Sequence, residues 1–378
     1  MSIGFAKLVT EKKDYRYLKT LKWLTFFHFI MGIAFYFLTR NGGGDAWTYW
    51  VNAKNMSPEE FSYNITHEFG TYFIEAINYI PVHFLEMSFF ANTMFYAMLG
   101  SFGVSCFYAV VLKLIPYNSK LNGRMLFPLL FFLPNMHFWS SGVGKDTIMF
   151  MSIGMFVYGM LTPFRRIPLL IISAFLTFAI RPHVVLFMAV AFGVVMLFGT
   201  KMSKSKKIFF SLIFISAGIA MLPTVMTFAS IDNLSVNNIT SKAENQSKLL
   251  QDGAGSGIDI SSYPLPLKIF TFLFRPLFFD ARSINSMLAS FENAIILILA
   301  VKAFRFKVFE TYKAAPIIIK ALLIFLVIGS LLFSITLGNL GVMIRMRNMF
   351  LPGFVIYLLW AFSYREQLRR EKNLKNKN

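Results

Sequence analysis

The sequence predicts an all-α fold: a polytopic transmembrane helix bundle of about ten spans, forming one integral membrane domain over residues 1–378. Three observations lead there. The chain is 56% hydrophobic and only 15% charged, where a soluble domain carries about 25% charge. Apolar runs recur from Leu18 to Phe362, each near the roughly 20 residues that cross a bilayer as a helix. Basic residues cluster in alternate connecting segments, which is how a polytopic chain marks its cytoplasmic side.

The spans are expected at 18–38, 89–115, 125–139, 147–163, 167–181, 183–199, 207–229, 287–304, 314–336 and 350–364. The third to sixth are short, and Pro128, Pro134, Pro163, Pro168 and Pro182 punctuate them. That pattern suits half-helices or tilted pairs as well as full spans. With both termini inside, the internal segments hold 25 Lys/Arg and five Asp/Glu, and the external segments hold 11 and 13. Lys320 lies within a span near its inner end, where it can snorkel. The formal charge of +19 is therefore read as an orientation signal rather than a nucleic-acid surface. A basic cytoplasmic tail occupies 365–378. Cys106, the only cysteine, excludes an intrachain disulfide. No small-residue cleavage site follows the first apolar run, so no cleavable signal peptide is expected.

Two long external loops stand out, at about 39–88 and 230–286. Within the first, Phe69 to Phe84 reads as an amphipathic helix that lies in the interface. Within the second, Gln251 to Ile258 reads as a turn, followed by an aromatic stretch at Phe270 to Phe279. Loops of this length more often bind or cover a ligand than merely connect. No internal repeat is evident, so the inverted-repeat signature of many transporters is missing.

Candidate functional residues lie on the external side. Gly42, Gly43 and Gly44 allow a backbone reversal after the first span and bring Asp45 to the rim. Trp47, Tyr49 and Trp50 follow, as an interfacial belt or as flat faces that stack on sugars. Between the third and fourth spans, Gly142 and Gly144 free the backbone beside Lys145, a candidate phosphate contact. Asp146 is expected to contact substrate or to cap the next helix. The Gly-Lys pair is not a P-loop, because Trp139 and Asp146 stand where that motif needs Gly and Ser/Thr. Arg181-Pro182-His183 forms a turn of almost no length; the guanidinium suits a phosphate fork, and His183 suits a base or a hydrogen-bonding residue. Arg275, Asp280, Arg282, Arg345 and Arg347 complete the set. The orientation rule does not account for arginines on this side, and several together suit a diphosphate. The five histidines have no metal-ligand spacing and no Asp-x-Asp occurs, so no cofactor or metal is indicated, although Asp45 and other carboxylates leave a divalent ion open.

This layout resembles bacterial membrane enzymes of lipid-linked glycan assembly. The Gly-Gly-Gly-Asp-Ala-Trp-Thr-Tyr-Trp run after the first span is similar to the first external loop of GT-C type glycosyltransferases, where an Asp is the general base. Many spans, a long external loop in the second half and the arginines at 181, 275, 282, 345 and 347 resemble the O-antigen and exopolysaccharide polymerases. The resemblance implies a polyprenyl-(di)phosphate-linked sugar as substrate and surface polysaccharide as product. It also implies the bacterial cytoplasmic (inner) membrane as location, and other glycan-assembly membrane proteins as partners. Asp45, Arg181 and His183 would then be catalytic, with Trp47, Tyr49, Lys145, Asp146, Arg275, Asp280, Arg282, Arg345 and Arg347 binding substrate. Two other classes remain open. A transporter or flippase for an anionic substrate would carry ionisable groups mid-span, where His28 is the nearest candidate. A non-catalytic assembly factor would tolerate loss of the external Asp and Arg residues.

Overall fold

The computed structural model describes residues 15–42, 44–121, 123–198, 203–228, 236–252 and 255–376. Parts of the basic amino-terminal segment, Gly43 of the glycine run, and Lys201 of the basic cluster before the seventh expected span lie outside them. The described chain is helical apart from a two-stranded hairpin, in which Lys120–Leu121 pairs antiparallel with Arg124–Met125. Among the described residues, five helices are long and apolar enough to cross a membrane: Leu18–Thr39, Phe89–Leu114, Lys207–Thr224, Ile284–Phe304 and Ile317–Thr336. A sixth results if Leu340–Arg347 and Leu351–Lys375, bent by 64°, form one broken span. Ile167–Ile180, Pro182–Leu197 and Leu265–Phe274 are shorter apolar helices. Helices of this length and apolarity indicate a membrane protein.

Prolines decide where the pattern departs from uniform spans. Over the expected 125–139 span the chain is not one helix. It breaks into Leu126–Leu129, a 3-10 turn at Leu130–Phe132 and the short Pro134–Phe138 helix, with Phe127 extended before Pro128. A residue that precedes proline is driven out of the helical region, and proline itself is tolerated only in a first turn. Elsewhere the helices outrun the spans. The last one continues from Leu351 to Lys375 and takes in most of the basic tail.

The chain divides into two compact units, Met1–Lys113 with Pro128–Val185, and Leu114–Phe127 with Leu186–Asn378. In the first unit the Phe89–Leu114 and Lys145–Gly159 helices meet through glycines. A Cβ on Gly103 would stand 2.8 Å from the Met151 Cα, and one on Gly154 would stand 2.9 Å from the Gly103 carbonyl. Close approach through small residues is how helices gain packing where lipid offers no hydrophobic drive. The first long loop folds here into the Asp45–Asn55, Pro58–His67 and Thr71–Tyr79 helices and a π-turn at Ile80–Phe84. Ser57 caps the second of these by accepting from the Glu60 amide at 3.1 Å, with Pro58 at the first helical position.

The second unit is built around aromatic packing. Phe272 stacks on Phe333 at 6.1 Å, and Phe350 meets both Phe325 at 4.7 Å and Phe333 at 5.8 Å. Gly329 makes room for the Phe350 ring, which a Cβ there would overlap. The expected turn near Gln251 to Ile258 is pinned to Gly338–Leu340 by Ile258 N–H to Gly338 O at 2.9 Å and Leu340 N–H to Ser256 O at 3.0 Å. Asn339 then caps the Leu340–Arg347 helix through the amides of Gly341 and Val342.

Candidate functional site

In the first unit, the glycine run after the first span turns the chain as expected, with Gly42 and Gly44 at φ +84° and +79°. Asp45 is exposed at the first position of the Asp45–Asn55 helix. Trp47 packs on Trp50 at 5.4 Å and on Phe89 at 5.1 Å, and the Trp50 indole donates to the Met87 carbonyl at 3.1 Å. These two rings form a half-buried cluster. Tyr49 faces the other way and is buried.

Tyr49 borders a polar cluster made by three helices. Lys145 begins the Lys145–Gly159 helix, half-buried, after Gly144 at φ +148°. Its ammonium donates to the Thr71 hydroxyl at 2.9 Å and lies 5.9 Å from the centre of the Tyr49 ring. Beside it, Glu75 is buried in the Thr71–Tyr79 helix and accepts from Asn52 at 2.7 Å. Burial pushes the Glu75 carboxyl above the usual range, against the pull of Asn52 and Lys145. The sequence reading did not single out Glu75. Its signal was a lone carboxylate in the apolar run Thr-Tyr-Phe-Ile-Glu-Ala-Ile.

Asp146 lies one residue further on. The N-cap position belongs to Gly144, so Asp146 is a first-turn acid and not the cap. Its carboxylate accepts from Arg181 at 3.0 Å, and both side chains are below a tenth exposed. Arg181 ends the Ile167–Ile180 helix, and Pro182 starts the next one at once, so the backbone leaves this guanidinium little freedom. His183, half-buried, follows in that first turn. Gly70 N–H donates to Ala179 O at 2.9 Å, which joins the Glu75 helix to the Arg181 helix.

Deeper in the same unit, two histidines 109 residues apart meet. His28 and His137 are both fully buried, with their Nδ1 atoms 2.9 Å apart. His137 Nε2 lies 2.6 Å from the Phe131 carbonyl, which can only accept. That nitrogen therefore carries hydrogen, and His137 Nδ1 accepts from His28. A second buried network runs from Asn92 to Asn78 at 2.7 Å and from Asn78 to Tyr96 at 3.0 Å.

The remaining candidates belong to the second unit. Arg275 grips Asp280 with two hydrogen bonds, at 3.0 and 2.5 Å, and the Leu277 amide adds a third at 2.8 Å. Burial pulls the Asp280 carboxyl up, but these donors outweigh it and hold it below the usual range. Arg347 is buried and donates to the carbonyls of Phe272 at 3.2 Å and Leu273 at 2.5 Å, and to Asn293 at 2.6 Å. It thus satisfies acceptors at the end of the Leu265–Phe274 helix that the helix itself leaves open. Arg345 is half-buried in the same last turn as Arg347, and Arg282 is exposed. Among the described residues, no group of three or more His, Cys, Asp or Glu side chains is placed to hold a metal ion.

Comparison of the chain with family models, characterised proteins and solved structures gives no match.

Proposed function

We propose that this protein is a membrane glycosyltransferase or glycan polymerase. It acts at the outer face of a bacterial cytoplasmic membrane on sugars carried by a polyprenyl-(di)phosphate. The observation that carries the reading is the cluster in which Lys145, Tyr49, Thr71, Asn52 and Glu75 gather, with Asp45 at the start of one contributing helix. It joins a cation suited to a phosphate leaving group with carboxylates suited to deprotonating an acceptor hydroxyl, beside helices apolar enough to meet a lipid carrier. A preorganised cation at a low-dielectric rim stabilises charge developing on the leaving phosphate. A carboxylate base is worth ~10²–10⁴-fold. Asp45 is exposed and is assigned the base. Arg181 is assigned to hold Asp146 and the Lys145 helix in place.

The test is transfer from a lipid-linked oligosaccharide by the reconstituted protein. Asp45→Asn is expected to lower turnover by about 10²-fold or more, and Lys145→Ala to weaken use of the diphosphate-linked donor. Wild-type rates in both variants would sink the assignment.

A second reading, transport or flipping of a lipid-linked glycan or another anion, is favoured by the His28–His137 pair. Ionisable groups within spans are costly and mark transport paths or proton relays. In a vesicle assay with a labelled lipid-linked sugar, movement lost in His28→Ala but retained in Asp45→Asn would select this reading over the first.

A further inference from the structure

Lys302, Arg305, Lys307 and Arg365 counted in the sequence only as orientation signals. In the second unit, some of them surround a cleft. The Ile284–Phe304 helix ends at Arg305, the short Val308–Ala314 helix follows, and the Leu351–Lys375 helix passes alongside. One lobe of the cleft, about 210 Å³, is lined by Arg305, Phe306, Lys307, Glu310, Tyr364 and Arg365, among others. An adjoining lobe of about 380 Å³ adds Lys302 and Phe362 and shares Arg305, Phe306 and Arg365.

The charges here are unbalanced. Four cations face one carboxylate, and that carboxylate is committed to Lys307 at 2.9 Å. Arg365 is not a loose surface chain. Its guanidinium carbon lies 4.3 Å from the centre of the Phe306 ring, and Phe306 in turn packs edge-on against Phe362 at 5.1 Å. Next to these cations stand large apolar side chains that the protein leaves bare: Phe304 is 76% and Phe309 82% exposed. The cleft also lies at the end of a helix apolar enough to span a membrane, the depth at which headgroups sit.

We propose that this cleft binds the phosphodiester headgroup of an anionic phospholipid, with acyl chains lying against Phe304 and Phe309. Lys302, Arg305 and Arg365 take the phosphate, Arg365 as a flat fork and Lys302 as a point charge. The exposed phenyl rings explain why the ligand is a lipid and not a free anion, which has nothing to offer them. Basic pockets between spans at a membrane surface are a recurrent solution for such headgroups. The cleft shares no residue with the Lys145 cluster, and the proposal does not rest on the glycan reading.

The experiment is native mass spectrometry of the delipidated full-length protein in detergent, titrated with phosphatidylglycerol or with phosphatidylcholine. The wild type is expected to retain phosphatidylglycerol preferentially. Lys302→Gln with Arg305→Gln should weaken that lipid about 30-fold, from two lost headgroup cations, and leave phosphatidylcholine unchanged. Lys372→Gln with Lys375→Gln, equally basic but outside the cleft, should change it by less than about threefold. Both cleft residues are at least partly exposed, and a thermal melt of each variant checks that it remains folded. Should the cleft variant unfold, Arg305→Gln alone, at an exposed position, is read against the same lipids. Equal retention of both lipids, equal loss in the two double variants, or displacement by inorganic phosphate at the lipid's own concentration would each overturn the proposal.

Discussion

Breaking the Asp146–Arg181 pair should cost far more than breaking a surface ion pair. The two side chains are 9% and 7% exposed with N and O 3.0 Å apart, so little water is left to solvate either charge. In contact at an effective dielectric near 20, their attraction is about 4 kcal/mol, most of it offset by the desolvation that burial imposed on both groups. Removing one partner forfeits the attraction and retains the other's desolvation. Arg181→Ala and Asp146→Asn should therefore each destabilise by about 3–5 kcal/mol. The double variant leaves no stranded charge, so its cost should fall short of the sum by roughly 2–3 kcal/mol. Denaturant unfolding of all four proteins in mixed micelles, followed by tryptophan fluorescence, measures this coupling. Costs that add to within about 0.5 kcal/mol would show that the two groups do not depend on each other, and the positioning role given to Arg181 would fall with them.

Three further outcomes follow from the same structure. Glu75 has a raised carboxyl, so its contribution to stability is present below its unfolded value and is lost as pH rises through the folded one. Thermal melts of Glu75→Gln should match the wild type near pH 4 and exceed it increasingly as pH climbs; a constant gap would refute the burial argument. Arg275→Lys keeps the charge but loses the paired bonds to Asp280, and should cost about 1–3 kcal/mol in denaturant unfolding; a neutral result would mean that the fork geometry contributes nothing. Gly103→Ala places a Cβ 2.8 Å from the Met151 Cα, backbone that cannot swing aside, and should cost about 1–3 kcal/mol in the same measurement; an unchanged midpoint would show that the helices separate freely.

What the sequence disclosed was local. Gly42 and Gly44 announce a turn because φ above zero suits glycine, and the turn is there. Arg181-Pro182 announces a sharp boundary between helices, because proline rejects helical geometry in the residue before it, and the boundary is there. The same rule, applied to Pro128 and Pro134, weighs against a continuous 125–139 helix. What stayed hidden was pairing across long stretches of chain. Nothing near His28 points to His137, 109 residues on. Nothing near Arg347 points to carbonyls 74 and 75 residues earlier. Glu75 was visible only as a carboxylate out of place, because its Asn52 partner belongs to another helix and its Lys145 neighbour to a third.

These pairings change how the arginines are weighed. Arginines on the side that orientation does not explain first read as one diphosphate pocket. Three of them meet internal demands. Arg181 answers a buried carboxylate, Arg275 grips Asp280, and Arg347 satisfies the open carbonyls of a helix end. In a protein with much apolar surface, a turn at the end of a short helix leaves polar groups that lipid cannot satisfy. A guanidinium, with five donors on a long stem, meets several of them at once. Phosphate binding is then better assigned to a cation with a different position. Lys145 stands at the start of a helix, where the peptide dipoles also favour an anion. It donates to the Thr71 hydroxyl, and its charge pulls on the nearby Glu75 carboxyl. An excess of charge singles out the Arg305 cleft in the other unit, where the lining cations outnumber the lining acids. A cation matched to a carboxylate or a helix end is explained by the fold. A built cluster whose charge the fold leaves over is where a ligand should be sought.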